Sequence, residues 1–437
     1  MTRIQFSASR LATFALVLTS ALAPTLAPTL AHAQGNASAA ATAMGGNYTA
    51  VARNFNAVAW NPANLGLPGN SRFSIAYSPQ VGMGTGPITL QDLNDYAGIV
   101  VPQSVREAWM QKVTDNGGQN LSGDINITPL ALSVGPFAFS ATTTIRVNGD
   151  LPPAVAELLL FGNAGRTGVA QDYTLSDLAL DGNATTTFGL AYGRRVPLVP
   201  IGDLAIGFTG KYMIGHGMAS MRDNGSTITS NPVQVMIDAP IVVTDTAEFM
   251  NNGSGFGLDV GATWQLGNLR TSAVVHDIFS TFAWKTDNLY YMPVQATFDQ
   301  DSSTSAVDEL LPLSSASPAL QDELRARIED TQVTPTLALG VAWTGFRRVT
   351  LAADLRQRFG DGIELGPQTQ LGIGAELRLI PFIPLRAGIT TLGEGMRYSG
   401  GLGLEFGVFN LQAAAMVMAA EGRNDTGFGL TMSFGGR

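Results

Sequence analysis

The sequence lacks cysteine altogether and has few charged side chains, which make up only 14% of its 437 residues. Without cysteine, the chain can form neither a disulfide framework nor a thiolate metal site or nucleophile. Histidine is also rare, since only His216 and His276 follow the first 33 residues, and no metal-ligating or catalytic motif surrounds either of them. The Ser-containing stretch 252–257 predicts a hairpin turn rather than a nucleophile elbow, so a barrel esterase or protease is only an alternative. We therefore expect a protein that is not an enzyme and has no cofactor or metal.

Long apolar runs are missing as well. Beyond the N-terminal region no stretch reaches the roughly 18 apolar residues expected of a membrane-spanning helix, and "LQAAAMVMAA" (411–420) suits a strand or a short helix. The net charge of −9 makes nucleic acid an unsuitable partner. A large soluble all-β protein or a transmembrane β-barrel remains, the latter with strands of about 9 to 11 residues.

The first 33 residues have the pattern of a signal peptide. Arg3 and Arg10 give a positive start, an apolar stretch interrupted by prolines follows, and residues 31–33 (Ala-His-Ala) fit a cleavage site before Gln34. A retained membrane anchor is the alternative, although the prolines interrupt its apolar run. We expect residues 1–33 to be removed and the mature chain to leave the cytoplasm.

Several segments alternate between large apolar and small residues. In 256–266, Phe256, Val260 and Trp264 fall on one face, whereas Asp259 and Thr263 fall on the other. The stretches 203–214, 337–343 and 370–379 repeat this pattern, and their second face is mostly Gly, Ala, Thr and Ser. Small residues suit a crowded lumen, and the apolar face then belongs against lipid. We predict an all-β fold, a transmembrane antiparallel β-barrel; a soluble β-sandwich or propeller is the alternative.

Turn signals such as "DGN" (181–183) and "NNGSG" (251–255) divide the chain into about 14 strands. Two segments, 90–116 and 317–330, instead have helical spacing, and the second begins with Ser317 and Pro318, which favour a helix start. We expect both to be short helical decorations of loops. The aromatic residues expected at the membrane interfaces are Trp264, Trp284, Tyr290, Tyr291, Trp343 and Tyr398.

The stretch "AMGGNYTAVARNFNAVAWNPANLGL" (43–67) has too little charge for an exposed tail and too many Ala and Asn residues for a strand or core helix. Adjacent glycines permit a tight bend, an Asn-Pro pair begins a helical turn, and Gly66 can end that turn in a left-handed conformation. We predict a hatch or plug at 34–70 in the lumen of a barrel formed by 71–437. The residues expected to shape this plug are Gly45, Gly46, Asn47, Asn61, Pro62 and Ala63.

This stretch, with its Gly-Gly pair and Asn-Pro-Ala element, resembles the N-terminal region of the FadL-type outer-membrane transport proteins. Later phrases, "GLAYGRRVPL", "LAIGFTGKYMIGHG" and "FGLDVGATW", are more similar to the uncharacterised FadL-like envelope proteins of didermic bacteria. The resemblance implies a 14-stranded barrel in the outer membrane, an N-terminal hatch in its lumen and, in the best-known members, a route for hydrophobic molecules. One departure is the C-terminus, where three residues follow Phe434 although such barrels often end on an aromatic residue. No fatty-acid pocket can be matched residue by residue, so the substrate is not carried over.

If the apolar faces point outward, nine charged residues face the lumen. We expect them to pair across adjacent strands and help to hold the plug; a selectivity or ligand-contact zone is the alternative. The five basic and four acidic residues are Lys211, Arg270, Arg356, Arg378 and Arg386, and Asp259, Asp354, Glu376 and Glu405.

Three functions are compatible with these patterns. The first is a FadL-type channel for small hydrophobic or amphipathic molecules, the second a general diffusion porin, and the third a non-transporting envelope scaffold such as a part of a secretion assembly. A plug in the lumen favours a FadL-type channel over a general diffusion porin. The expected partners are outer-membrane lipid and a small hydrophobic ligand, and the oligomeric state stays open.

Overall fold

The computed structural model describes residues 38–162, 165–197, 201–230, 233–245, 247–298, 303–306, 310–346, 348–360, 368–392, 395–420 and 423–436. The predicted signal peptide and its cleavage site before Gln34 lie outside the described residues. The chain forms a closed antiparallel β-barrel of 14 strands, as the sequence predicts. The strands are β1 (Phe73–Gly86), β2 (Gln119–Val134), β3 (Phe137–Leu151), β4 (Ala179–Val196), β5 (Asp203–Arg222), β6 (Gly253–Leu266), β7 (Leu269–Ser280), β8 (Thr336–Phe346), β9 (Val349–Arg358), β10 (Thr369–Ile380), β11 (Ile383–Leu392), β12 (Gly395–Phe406), β13 (Phe409–Ala420) and β14 (Arg423–Gly436).

Each strand pairs with the next one along the chain, and β1 pairs with β14 to close the barrel. In that closing pair Phe73 lies opposite Gly436 and Gln80 lies opposite Gly429. Closure matters because an open sheet edge would leave backbone donors and acceptors unpaired, which a membrane interior does not tolerate.

The two faces of the barrel wall follow the alternation in the sequence. On β6 the Phe256 side chain points outward and is 62% exposed, whereas Asp259 points inward and is 1% exposed. On β5, Ile206 and Phe208 are exposed on the outer face and Thr209 is buried on the inner face. A wall with apolar residues outside and polar or small residues inside matches that of transmembrane barrels.

The two ends of the barrel differ. At the short-turn end, where β2 joins β3 and β6 joins β7, the strands are separated by two residues. The long-loop end contains helices between β1 and β2, between β3 and β4 and between β7 and β8. With the helices of the N-terminal segment, the helices are α1 (Ala39–Ala43), α2 (Ala57–Trp60), α3 (Leu90–Asp95), α4 (Gln103–Asp115), α5 (Pro153–Phe161) and α6 (Pro318–Glu329), and the 3-10 helices are Asn54–Asn56, Pro62–Gly66 and Leu313–Ser315.

Short strands add further structure to the long loops. One small sheet draws on three separate loops and consists of Tyr173–Thr174, Thr227–Ser230, Val233–Asp238, Gln295–Phe298 and Ser303–Ala306. The strands Ile241–Val243, Ala283–Trp284, Tyr290–Met292 and Leu311–Pro312 extend the barrel sheet itself. The long loops are therefore folded parts of the molecule.

The helical predictions for the loops are confirmed. The segment 90–116 forms α3 and α4, separated around Pro102, and α6 begins after Ser317, whose Oγ accepts a hydrogen bond from the Leu320 backbone N–H. None of the described helices is long and apolar enough to cross a membrane.

Three details of the sequence prediction are wrong, and the first is the hairpin turn at 252–257, because residues 253–257 lie within β6. Trp284 and Tyr291 do not lie at a membrane interface, because they pack in an apolar cluster of the long loops and are 6% and 7% exposed. The "DGN" signal at 181–183 is no turn, since these residues lie within β4 and pair with β3 and β5.

Candidate functional site

The N-terminal segment, described from residue 38 to residue 70, lies inside the barrel. Its helix α1 contacts β11 to β14, the 3-10 helix Asn54–Asn56 contacts β1 to β3, and the 3-10 helix Pro62–Gly66 contacts β4 to β6. Neighbours on so many strands around the barrel place the segment across the lumen.

Glycine residues on the wall allow the segment to approach this closely. A Cβ atom at Gly207 would lie 2.5 Å from the Ala63 backbone nitrogen, and one at Gly374 would lie 2.6 Å from the Met44 carbonyl oxygen. Any larger residue would therefore push the segment away from the wall. The inward-facing glycines that contact the segment in this way, which we call the glycine belt, are Gly189, Gly193, Gly207, Gly261, Gly340, Gly372, Gly374, Gly388 and Gly401.

The Asn-Pro-Ala element connects the segment to β6. The Asn61 Oδ1 accepts a hydrogen bond from the Ala63 backbone N–H at 3.0 Å and so caps the 3-10 helix. Its Nδ2 donates to the Thr263 Oγ1 at 3.1 Å. Ala63 itself is completely buried. One amide thus shapes the turn and fixes it to the wall.

Gly66 differs from the expectation. It lies within the 3-10 helix without a positive φ, and the chain leaves the helix at Leu67 in an extended conformation. The backbone of Arg194 on β4 leaves no room for a side chain at Gly66. This glycine is therefore needed for close packing and not for a left-handed turn.

The bend at Gly45 and Gly46 is tied to β11. Both residues have positive φ angles, of 71° and 79°. The Thr390 Oγ1 donates to the Gly45 carbonyl oxygen at 2.6 Å and accepts from the Asn47 Nδ2 at 3.2 Å. The same Asn47 Nδ2 donates to the Met44 carbonyl oxygen, so Asn47 joins the bend to the wall.

Three of the nine predicted lumen charges contact the N-terminal segment. The Asp354 Oδ2 accepts hydrogen bonds from two consecutive backbone N–H groups, of Tyr48 at 2.9 Å and of Thr49 at 2.8 Å. The Arg270 Nη1 donates to the Ala50 carbonyl oxygen at 2.9 Å. The remaining contact is a cation–π contact, in which the guanidinium of Arg356 lies 4.3 Å from the ring centroid of Trp60.

Lys211 and Asp259 belong to a buried network on β5, β6 and β7. The Lys211 Nζ lies 2.7 Å from the Asp259 Oδ1 and 2.9 Å from the Asp277 Oδ2, and the His276 Nδ1 lies 3.1 Å from the Asp259 Oδ2. The sequence reading missed His276 and Asp277 as members of this site. They lie at an irregularity in the β6–β7 register, where Asp277 has a φ of 49°.

The other four predicted lumen charges form a second network, nearer the short-turn end. Glu376 pairs with Arg378 at 2.6 Å and with Arg386 at 2.7 Å, and Arg378 also pairs with Glu405 at 2.7 Å. This network joins β10, β11 and β12 and contains two acids and two bases.

Further buried charges were not singled out from the sequence. Asp124, Arg397 and Asp425 are less than one-tenth exposed, and both carboxylates act electrostatically on the Arg397 guanidinium. The sequence feature that could have identified these three residues is their position on the inward-facing side of the strand alternation. Within the described ranges, no group of three or more histidine or acidic residues could hold a metal ion.

A protein-family model described as "Family of unknown function (DUF5723)" matches residues 62–416. No curated protein matches the chain significantly. The solved structure of the P. putida toluene transporter TodX is similar, with a TM-score of 0.51 and 12% identity, covering 91% of this chain and 98% of that chain. The Ralstonia pickettii toluene transporter TbuX has a TM-score of 0.49 and 14% identity, covering 92% of this chain and 98% of its own. A Pseudomonas aeruginosa FadL homologue has a TM-score of 0.47 and 11% identity, covering 95% and 100%. The likeness to TodX confirms the predicted FadL-type fold.

Proposed function

The chain belongs to the DUF5723 family, whose function is unknown, and we propose that it is an outer-membrane channel of the FadL type for small hydrophobic or amphipathic molecules. In this proposal the N-terminal segment is the plug, comprising residues 34–70, and residues 1–33 direct export and are then removed. The short turns face the periplasm and the long loops face the exterior, as in other bacterial outer-membrane barrels.

The observation that carries the proposal is the contact between the plug and the glycine belt. An open diffusion porin needs a clear lumen, whereas here α1 and the 3-10 helix Pro62–Gly66 lie against opposite parts of the wall. Because the plug forms hydrogen bonds with β6, β9 and β11, it is an ordered part of the closed barrel. A solute passes only when the plug shifts or when a passage opens beside it.

The polar lumen favours a solute that has a polar group as well as an apolar part. Lys211 and Asp259 face the lumen, as do Asp124 and Arg397, and a purely apolar solute that passes them can form no hydrogen bonds with this polar lining. TodX, the similar structure, is described as a toluene transporter. We therefore propose that the solute of this channel is an amphipathic molecule rather than a plain hydrocarbon.

A non-transporting scaffold is the second candidate. It is supported by the long-loop end, where Phe282, Trp284, Leu324 and Ile328 share an apolar cluster and three loops build a common sheet. Such ordered loops would suit attachment of a partner as well as control of a channel entrance.

Deletion of residues 35–66 separates these candidates. The strands that close the barrel begin at Phe73, so we expect the shortened protein to insert and to conduct small ions better than the parent in planar bilayers. Replacement of both Asn61 and Pro62 by Ala should have a smaller effect, because a helix cap contributes only about 0.5–2 kcal/mol. Ala substitutions at the exposed Gln103 and Ser104 of α4 serve as the control.

Uptake of a labelled amphipathic solute into proteoliposomes completes the experiment. Uptake by the parent supports the channel, and high ion conductance of the parent points to a porin. If the deletion variant inserts normally but neither conducts nor takes up solute differently from the parent, the channel proposal fails and the scaffold is preferred.

A further inference from the structure

Arg53 of the plug and Arg270 of β7 differ from the two cross-strand networks. Within the described ranges, neither arginine forms an ion pair, and their hydrogen-bond acceptors are neutral oxygens. Burying a guanidinium without an opposite charge is costly, and the cost falls when an anion supplies that charge.

The contacts of Arg270 place its charge at the seam between the plug and the wall. Its Nη1 donates to the Ala50 carbonyl oxygen at 2.9 Å, its Nη2 donates to the Gln265 Oε1 at 2.8 Å, and the side chain is 7% exposed. Arg270 is the second residue of β7, so the seam lies close to the short-turn end of the lumen.

Arg53 lies on the plug side of this seam. Its Nη1 donates to the Pro68 carbonyl oxygen at 2.6 Å, and the side chain is only half-buried. Gly69, with a φ of 95°, leaves the space that this guanidinium occupies, and a Cβ atom there would overlap it. The absence of a side chain at Gly69 is therefore what makes room for the Arg53 guanidinium.

Arg270 contacts the plug at Ala50, three residues before Arg53 along the chain, and the Arg53 charge acts on the Arg270 guanidinium, so the two like charges repel each other. A guanidinium has five N–H donors, and the contacts above use two on Arg270 and one on Arg53. Donors therefore remain on both sides of the seam for a group with several acceptor oxygens.

We propose that Arg53 and Arg270 form an anion-binding site that takes a phosphate or carboxylate group and fastens the plug to the barrel wall. An oxyanion accepts hydrogen bonds from both guanidinium groups and replaces their repulsion by two attractions. The proposal goes beyond transport, because a closed scaffold would bind the anion equally well.

The test uses the mature protein in nanodiscs of zwitterionic phosphatidylcholine, titrated with inorganic phosphate in a calorimeter. We expect phosphate to bind and to slow protease cleavage within residues 38–70. The R53Q/R270Q variant should bind phosphate about tenfold more weakly or worse, because it loses charge-assisted hydrogen bonds on both sides. R53Q alone leaves the barrel strands unchanged and tests the site if the double variant fails to fold.

R72Q is the matched control, because Arg72 is exposed, precedes β1 at the same end of the barrel and carries the same charge. In a second arm, nanodiscs with anionic phosphatidylglycerol and no free phosphate show whether a lipid headgroup supplies the anion. If anionic lipid protects the plug from protease in the parent and in R72Q but not in R53Q/R270Q, the site is supported and a lipid headgroup is its ligand. Absence of phosphate binding, or equal weakening in R72Q, overturns the proposal.

Discussion

At the scale of single residues, the glycine belt provides a sharp test. Gly207 and Gly210 lie on the same strand but face opposite sides of the wall; a Cβ at Gly207 would collide with the plug, whereas one at Gly210 would meet nothing within 4 Å. We expect G207A to loosen the plug, at a cost of about 1–3 kcal/mol for overpacking. Protease cleavage within residues 38–70 and urea unfolding measure the effect.

G210A is the control and should match the parent in both measurements. If G207A and G210A behaved alike, the contact between the plug and the glycine belt would not restrict the position of the plug.

Individual site residues could be predicted only in part. Strand alternation alone predicts inward positions for Lys211, Asp259 and Glu376, and in the structure their side chains are only 14%, 1% and 16% exposed. It could not identify Asp277 as a partner of Lys211, because an irregularity in the β6–β7 register changes which side chains meet. Gly66 was misread because a glycine needed for packing and one needed for a left-handed turn look alike in a sequence.

At the scale of strands, the two faces of β5 should respond differently to substitution. Phe208 is exposed on the outer face, and F208R should lower the free energy of unfolding by about 2–4 kcal/mol if the residue lies near the bilayer midplane. T209S retains a hydroxyl that can donate to the Val58 carbonyl oxygen, so we expect little change. Folding into lipid vesicles followed by denaturant titration gives both values, and equal sensitivity of the two faces would instead indicate a soluble two-sided core.

The loop helices α3 and α4 provide a pH-dependent prediction. Partial burial raises the pKa of Asp92, but hydrogen bonds from Thr89 and the ion pair with Lys112 outweigh it, so the pKa lies below its usual range. A carboxyl group with a lowered pKa stabilises the fold above its unfolded pKa, which is about 3.9 for Asp. This stabilisation is lost as the pH falls through the lowered folded-state value.

Amide hydrogen exchange of residues 90–115 should therefore be faster in D92N than in the parent at neutral pH. The difference should shrink once the pH falls well below 4, where Asp92 is protonated in both states. An unchanged difference at low pH would mean that D92N acts through a change other than the loss of charge.

Strands were easier to predict than the positions of aromatic side chains. The period of two is a local property, so the face of Phe256 follows from its neighbours alone. Whether a loop covers an aromatic residue depends on distant parts of the chain: Trp284 packs with Met213 of β5 and Leu324 of α6. Similarly, the "DGN" triplet remains extended because β3 and β5 pair with it on both sides.

At the scale of the whole molecule, closure of the barrel depends on β14, which must pair with both β13 and β1. Near its end, Phe434 lies opposite Ile75 of β1 and Phe409 of β13, and the two Phe rings are 5.1 Å apart. The strand count was predictable from the alternation, but the closing register was not, because it joins residues at opposite ends of the chain.

The ring contact between Phe434 and Phe409 lies between β14 and β13, so F434A should slow formation of the strand pair that positions β14 for closure against β1. Aromatic pairs contribute about 0.5–1.5 kcal/mol beyond buried area, so we expect folding into vesicles to slow by roughly two- to tenfold if the pair already forms in the transition state. F428A is the matched control, because Phe428 is also an exposed phenylalanine on β14 but lies opposite Ala415 and Val81. The folded fraction is followed over time by the heat-dependent shift in gel mobility typical of barrels. Equal slowing by both substitutions would show that loss of an outward apolar side chain matters and that the ring contact between Phe434 and Phe409 does not.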